Sequence, residues 1–440
     1  MAAQDISIIE KFEILSNDGK LVDIKNGVIK FEYTENLLSP MVTASVFVVN
    51  TGTTVLTSDG EKRLTSLYNG LPLNGGEIVN IKIPATSDGP GLEFTQKNNN
   101  PLYVGSITDI LINSSKETFV LNLVSREAIT NETVRVGKKF GPKISESVEK
   151  IIKEELKTEK NIDKDETEND YAFLGNMRKP FTLITWLMTK SVSAKAGGQN
   201  STAGYFFYET RKGYHFKSID NLIKSKKFEK KYTYTPGVVD NEDPNKDFKI
   251  LDYYTEQNQR LIENLERGAY CTYRMYYDPL NGKFTTQEEG LFQVSKYADK
   301  MENLGQDLKV LLPPIDNKTK LGNVPSRFVT GVIDRGITEK SAKNSKKQNA
   351  NQMEYHSQAM MRYQTICTQS LQATIPLNTN LIAGNIIDIE FPLLTTSKDK
   401  VSDDTQSGLY MIKALTHIYE SRGSFTKLKL IRDTTGKKDK

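Results

Sequence analysis

Two nine-residue stretches near opposite ends of the chain are written on one pattern, and no other feature of the sequence limits the fold as strongly. Gly76 to Pro84 reads GEIVNIKIP and Gly384 to Pro392 reads GNIIDIEFP, offset by 308 residues (384 − 76), with the glycine, two isoleucines and the proline identical. In the first, Val79, Ile81 and Ile83 alternate with Asn80 and Lys82. In the second, Ile387, Ile389 and Phe391 alternate with Asp388 and Glu390. Successive side chains of a strand point to opposite faces, so each stretch is predicted to be a half-buried strand with the same face turned inward. The correspondence resumes where Leu102-Tyr103 meets Leu409-Tyr410, now offset by 307 (410 − 103), and runs ungapped to Leu121–Val124 and Leu428–Ile431. Polar residues, Asn113 to Lys116 and Glu420 to Gly423, break each of these stretches in the middle, which predicts a long hairpin in both copies. Alternating patterns do recur by chance. A second match in the same order and at similar spacing argues for a duplicated module. A fainter upstream echo sets Met41 to Val49 beside Ala269 to Tyr277.

A chain of 440 residues exceeds what a single core organises, so two or more domains are expected. Between the copies the periodicity turns helical. Val148, Ile151, Ile152 and Leu156 fall at helical spacing within Ser145 to Lys157, and Pro180 to Ala194 is a second helix candidate, with the only tryptophan, Trp186, as a core anchor. The charged stretch from Thr158 to Asp170 is predicted to be a solvated loop, with an acidic partner-facing patch as the other reading. Ala203 to Glu209 and Tyr214 to Lys217 form an aromatic hairpin closed by Thr210 to Gly213, followed by a short helix that Ser218 would cap. Gly290 to Gln364 interrupts the second copy; in it, Ser341 to Asn351 reads as an exposed loop and Gln352 to Arg362 as a helix. The basic tail, Lys437 to Lys440, is expected to fray. The fold class is therefore α+β, dominated by β structure.

Charge and thiols narrow the function. Fifty-nine basic residues stand against 55 acidic ones, for a net charge of +4, which implies no basic field for tight nucleic-acid binding. Cys271 and Cys367 are far apart and read as buried thiols rather than a disulfide framework. Asp5, Glu10 and Lys11 interrupt the N-terminal apolar residues, so Met1 to Ser16 is not a signal peptide. The longest apolar runs, such as Val46 to Val49, fall far short of the ~20 residues of a membrane helix, so a soluble protein is expected.

No catalytic, cofactor-binding or metal-binding residues emerge. His215, His356 and His417 sit in a predicted hairpin, helix and strand, none at metal-ligand spacing. The phosphate-cradling, dinucleotide and nucleophile-elbow motifs are absent, as is a calcium loop. A pair of glycosidase carboxylates carries no local signature and stays open on sequence alone.

Gly204-Tyr205-Phe206-Phe207-Tyr208-Glu209 with Gly213 to Asp220, Asn100 to Gly105, and the closing stretch from Gly408 to Asp433 together resemble the baseplate hub proteins of contractile-tailed, T-even-like bacteriophages, including those of cyanobacteria. The resemblance implies two tail-tube-like β-barrels per chain, at 1–131 and at 248–289 plus 365–435. A mixed helical and hairpin connecting domain would occupy 132–247, and 290–364 would be an insertion. It further implies a non-enzymatic homotrimer in the virion, made in the host cytoplasm, whose pseudo-sixfold ring seats a hexameric tail tube on a trimeric central spike. Wedge proteins of the baseplate would be its other partners, and DNA would pass through the lumen without specific binding. No cofactor and no membrane insertion are implied. The lumen wall is expected to be neutral or acidic on balance, because a basic wall would hold phosphates and retard DNA. A hub or spike protein with an embedded cell-wall hydrolase, and a host-surface binding module, are the alternatives.

Overall fold

The computed structural model describes residues 6–437 apart from 52–54, 57–63, 72, 86–88, 114, 195–201, 236–242, 244, 258, 299–300, 307–315, 335–351 and 394–401. The exposed loop expected at Ser341 to Asn351 and the last three residues of the tail lie outside the described residues. Lys437 itself is held, donating its backbone N–H to the Asp404 carbonyl at 2.8 Å.

The N-terminal module is one antiparallel sheet of β1 (Lys11–Leu15), β2 (Val28–Asn36), β3 (Thr43–Asn50), β4 (Ile78–Ile83), β5 (Leu102–Ile112) and β6 (Glu117–Ser125), in the spatial order β2-β3-β6-β5-β4-β1. Its inward face follows the alternation in the sequence: Val79, Ile81 and Ile83 are buried with Phe12, Phe31, Tyr33, Val46, Phe119 and Leu121. Asn80, on the opposite face, is nonetheless covered and accepts the Gln96 amide at 2.8 Å.

The connecting unit follows, with α1 (Arg126–Thr133), α2 (Ile144–Lys150), β7 (Ile162–Lys164), α3 (Pro180–Met188), the hairpin β8 (Tyr205–Thr210) and β9 (Gly213–Ser218), and α4 (Ile219–Lys224). The predicted helix at 145–157 is α2 continued by a π turn over Ile151–Glu155, which keeps Ile151, Ile152 and Leu156 buried. Gly213 takes φ +117°, and a Cβ there would meet the Asn161 carbonyl oxygen at 2.2 Å, so only glycine closes this turn beside β7. The stretch at 158–170 is not a solvated loop. Its β7 pairs in parallel with β9, and the Lys160 side chain and Asp165 are buried. Its charges have partners waiting in neighbouring elements, which a one-dimensional reading cannot see.

Next come β10 (Lys231–Tyr234) and β11 (Asp252–Gln257), then β12 (Cys271–Asp278), β13 (Lys283–Phe284), β14 (Leu291–Gln293) and β15 (Arg327–Val332), which form a separate four-stranded sheet. Residues 271–284 thus pair with 291–293 and 327–332, and the echo expected between Met41–Val49 and Ala269–Tyr277 is not present in the fold. α5 (Gln352–Thr365), longer than predicted by three residues, leads into β16 (Gln369–Pro376), β17 (Ile386–Glu390), β18 (Gly408–Glu420) and β19 (Gly423–Arg432).

Five strands of the first copy recur in the second, while β1, antiparallel to β4, is replaced beside β17 by the parallel β10. The order β2-β3-β6-β5-β4 recurs as β11-β16-β19-β18-β17, so the true counterpart of β3 is β16, with Leu371, Ala373 and Ile375 inward where β3 has Ala44, Val46 and Val48. A β-bulge is duplicated as well. The β5·β6 ladder skips Gly105 and the β18·β19 ladder skips Lys413, at the same 308-residue offset (413 − 105). This fixes the register: Leu102 faces Val79 as Tyr410 faces Ile387, so Leu102 corresponds to Tyr410, and the expected match to Leu409 is one residue out. Two shared letters, Leu-Tyr, were misleading because a one-residue slip exchanges the faces of a strand. The offset drops to 307 only further on, at a second bulge confined to the first copy, where Asp109 takes φ +54°. The chain is an α+β protein dominated by β structure, as predicted. Among the described residues no helix is long and apolar enough to cross a membrane.

Candidate assembly interface

The three histidines stay on separate elements. His215 on β9 shares a hydrogen bond with Thr210 Oγ1 at 2.9 Å, His356 on α5 one with the Tyr276 hydroxyl at 3.1 Å, and His417 on β18 one with Thr426 Oγ1 at 2.9 Å. Among the described residues no three His, Cys, Asp or Glu side chains are grouped to hold a metal ion. Cys271 is buried, and desolvation pushes its thiol up to about 11, while Cys367 is half-buried.

The feature that organises the molecule is a strand junction. β2, at the edge of the first module, pairs antiparallel with the far half of β18 in the second, from Asn36 opposite Ala414 to Lys30 opposite Glu420. Two modules thereby become one continuous sheet. The near half of β18, Gly408 to Met411, is already paired with β17, so the Lys413 bulge separates the half used inside the module from the half used between modules. Side chains lock the seam: Phe31 stacks on Tyr419 at 5.9 Å, Tyr33 on His417 at 6.3 Å, and Thr34 Oγ1 meets Thr416 Oγ1 at 2.9 Å.

Glu35 pins the seam to the rest of the chain. Its fully buried carboxylate accepts the backbone N–H of Arg211 at 2.8 Å from the connecting unit and that of Ala383 at 2.9 Å from the second module, as well as the Tyr33 hydroxyl at 3.1 Å. Burial raises its pKa from 4.5 to about 7, with the Arg211 and Ala383 amides pulling the other way. Between about 4.5 and 7 the folded chain therefore holds a proton that the unfolded chain has lost. The resulting stabilisation is complete below 4.5 and is lost as pH rises through 7. His417 acts oppositely: desolvation lowers its pKa from 6.5 to about 3, so its contribution is lost as pH falls below 6.5. Comparison with E35Q isolates the carboxyl. The unfolding free energy of wild type minus E35Q is expected to fall between pH 5 and 7, by at most about 1.4 kcal/mol per unit. A flat difference in chemical denaturation across that range would mean that Glu35 stays ionised in the fold.

Each half of this seam has an unused twin. The counterpart of the far half of β18 is the far half of β5, Ser106 to Ile112, and the counterpart of β2 is β11. Among the described residues, neither has a strand on its outer edge. Sequence reading passed over both. The available signal was the run Ile110-Leu111-Ile112, where apolar residues stop alternating at the end of a strand that otherwise presents one apolar face.

No protein-family model matches the sequence, and no curated protein does either. Solved structures share its fold. A tail protein from Neisseria meningitidis MC58 is 8% identical with a TM-score of 0.54, covering 96% of both chains. The 43 kDa tail protein of prophage MuSo2 from Shewanella oneidensis is 8% identical with a TM-score of 0.52, over 96% of this chain and 98% of its own. The chain is thus similar in fold to phage tail proteins over nearly its whole length.

Proposed function

We propose that the chain is a structural hub in the baseplate of a contractile phage tail and forms a homotrimeric ring. Each protomer contributes two tail-tube-like β-barrels, so the ring presents six near-equivalent modules to a hexameric tail tube and threefold symmetry to a trimeric central spike. The observation that carries this reading is the edge-to-edge junction of β2 with β18. A protein that only needed two copies of a module could tether them by any linker, whereas a shared sheet sets a fixed rotation from one module to the next. Similarity in fold to tail proteins supports the same reading.

The work is mechanical: no bond is made or broken, load passes along the hydrogen-bonded sheet, and the lumen lets the genome through. Wedge proteins of the baseplate surround the ring in the virion. Three outward-facing lysines beside β4 and β17 are matched by carboxylates, Lys82 by Glu10 at 2.9 Å, Lys231 by Glu390 at 2.6 Å and Lys227 by Asp388 at 3.4 Å. At these three positions the carboxylate offsets the positive charge that would otherwise retain phosphate.

Native mass spectrometry of the full chain, alone and with a trimeric spike protein, tests the proposal. The expected species is three times the 49.6 kDa protomer. A chain that stays monomeric under both conditions would overturn it.

A further inference from the structure

The two open edges fit each other. From Thr34 to Phe31 on one side and from Thr416 to Tyr419 on the other, the ladders inside the modules give the seam its counterparts. Ile418 lies opposite Phe425, as Leu111 lies opposite Thr118, so Leu111 stands where Ile418 does. Glu32 lies opposite Ser45, as Tyr254 lies opposite Gln372, so Tyr254 stands where Glu32 does. Ile418 and Glu32 are partners across the seam.

We infer that the far half of β5 pairs antiparallel with β11 of a second copy of this chain, Leu111 opposite Tyr254 and Ile112 opposite Tyr253. The inference rests on the trimeric-ring reading and adds to it the strands, the register and the head-to-tail sense.

Exposure supports the pairing. Ile418 and Tyr419 are each 4% exposed, covered by β2, whereas their counterparts Leu111 and Ile112 are 62% and 51% exposed, and Tyr254 is 65% exposed. Apolar side chains on an unpaired strand edge are a liability that soluble proteins avoid unless something covers them. The contact also continues an interface that already exists in the fold. In both, the strand half beyond a duplicated bulge meets the edge strand of the other module. Tyr253, already packed on Phe391 at 4.4 Å, takes the place of Phe31, and Thr108 and Gln257 take the places of Thr416 and Thr34. An edge that meets a different edge is heterologous and propagates until rotation closes it. Two kinds of junction with one geometry, alternating within and between chains, close after six modules when each step turns one sixth of a circle.

The test is disulfide trapping in the full-length protein at exposed positions, so that folding is not at stake. L111C/Y254C, mildly oxidised, is expected to give covalent dimers and trimers on a non-reducing gel. L111C alone and Y254C alone are expected to give neither, while an equal mixture of the two single variants should give dimers only. Dimers from L111C alone would indicate a self-facing contact and overturn the head-to-tail assignment. A trimer seen by native mass spectrometry without trapping at this pair would overturn the pairing and leave the hub reading standing. Persistent monomers in both experiments would overturn both.

Discussion

R362M is expected to destabilise the protein by roughly 3–5 kcal/mol, the scale for removing one partner of a buried ion pair. The Arg362 side chain is wholly buried where three parts of the chain meet. One guanidinium nitrogen reaches Asp220 of α4 at 3.0 Å and donates to the Glu302 carbonyl at 3.0 Å, and the other reaches Asp433, just past β19, at 3.4 Å. Both carboxylates have further donors: Asp220 takes the Thr202 amide and hydroxyl at 2.8 and 2.7 Å, and Asp433 takes the Leu304 amide at 2.9 Å. Those bonds hold the carboxylates in place when the cation is gone, so methionine leaves two negative charges in the interior. Urea unfolding followed by the fluorescence of Trp186, the one tryptophan, measures the loss. R362K keeps the charge but not the planar fork and is expected to fall between the two. An R362M midpoint equal to wild type would mean that the acids take up protons or water at little cost.

K160M is expected to cost a similar amount, again about 3–5 kcal/mol. Lys160 Nζ lies 2.7 Å from Glu127 of α1 and 2.6 Å from Glu209 of β8, and all three side chains are buried. Glu209 also accepts the Val42 amide at 3.0 Å, which ties the connecting unit to the first module. Burial holds the Glu209 carboxyl above its usual range, while at Glu127 the cost of burial is more than offset by the Lys160 ammonium, leaving it below. Without the lysine, the buried Glu209 loses its cation, and Glu127 keeps Arg126 at 3.4 Å and the Thr158 hydroxyl at 2.7 Å. The triple variant E127Q/K160M/E209Q removes the charges together and is expected to recover most of the loss, which separates uncompensated charge from lost packing. Equal unfolding midpoints for the single and triple variants would assign the effect to packing instead.

Much of the architecture was legible in the sequence because it depends on local periodicity. Alternation identified β4 and β17, the polar breaks located both hairpins, and the aromatic run with its glycine marked β8 and β9. Failures have a common cause. The charged stretch around Lys160 reads as solvated by every local criterion, since its partners lie 33 and 49 residues away. The echo at Ala269 to Tyr277 had the right alternation, but its partners are β14 and β15 rather than a module sheet. The one-residue error in aligning β5 with β18 came from trusting identical letters over the buried face.

The interface was the least visible part. A sequence shows that a module occurs twice, because duplicated strands must keep their inward residues to bury a core, and this periodicity survives after most letters have changed. Which edges those modules present to each other is a different matter. Strand pairing is made by backbone groups that every residue carries, so β2 carries no sequence label directing it to β18. Only the tertiary structure determined that junction, together with the bulge that divides β18 into an inner and an outer half. With the junction known, the duplication identifies its open twin: two copies imply two seams, and one of them is still unpaired.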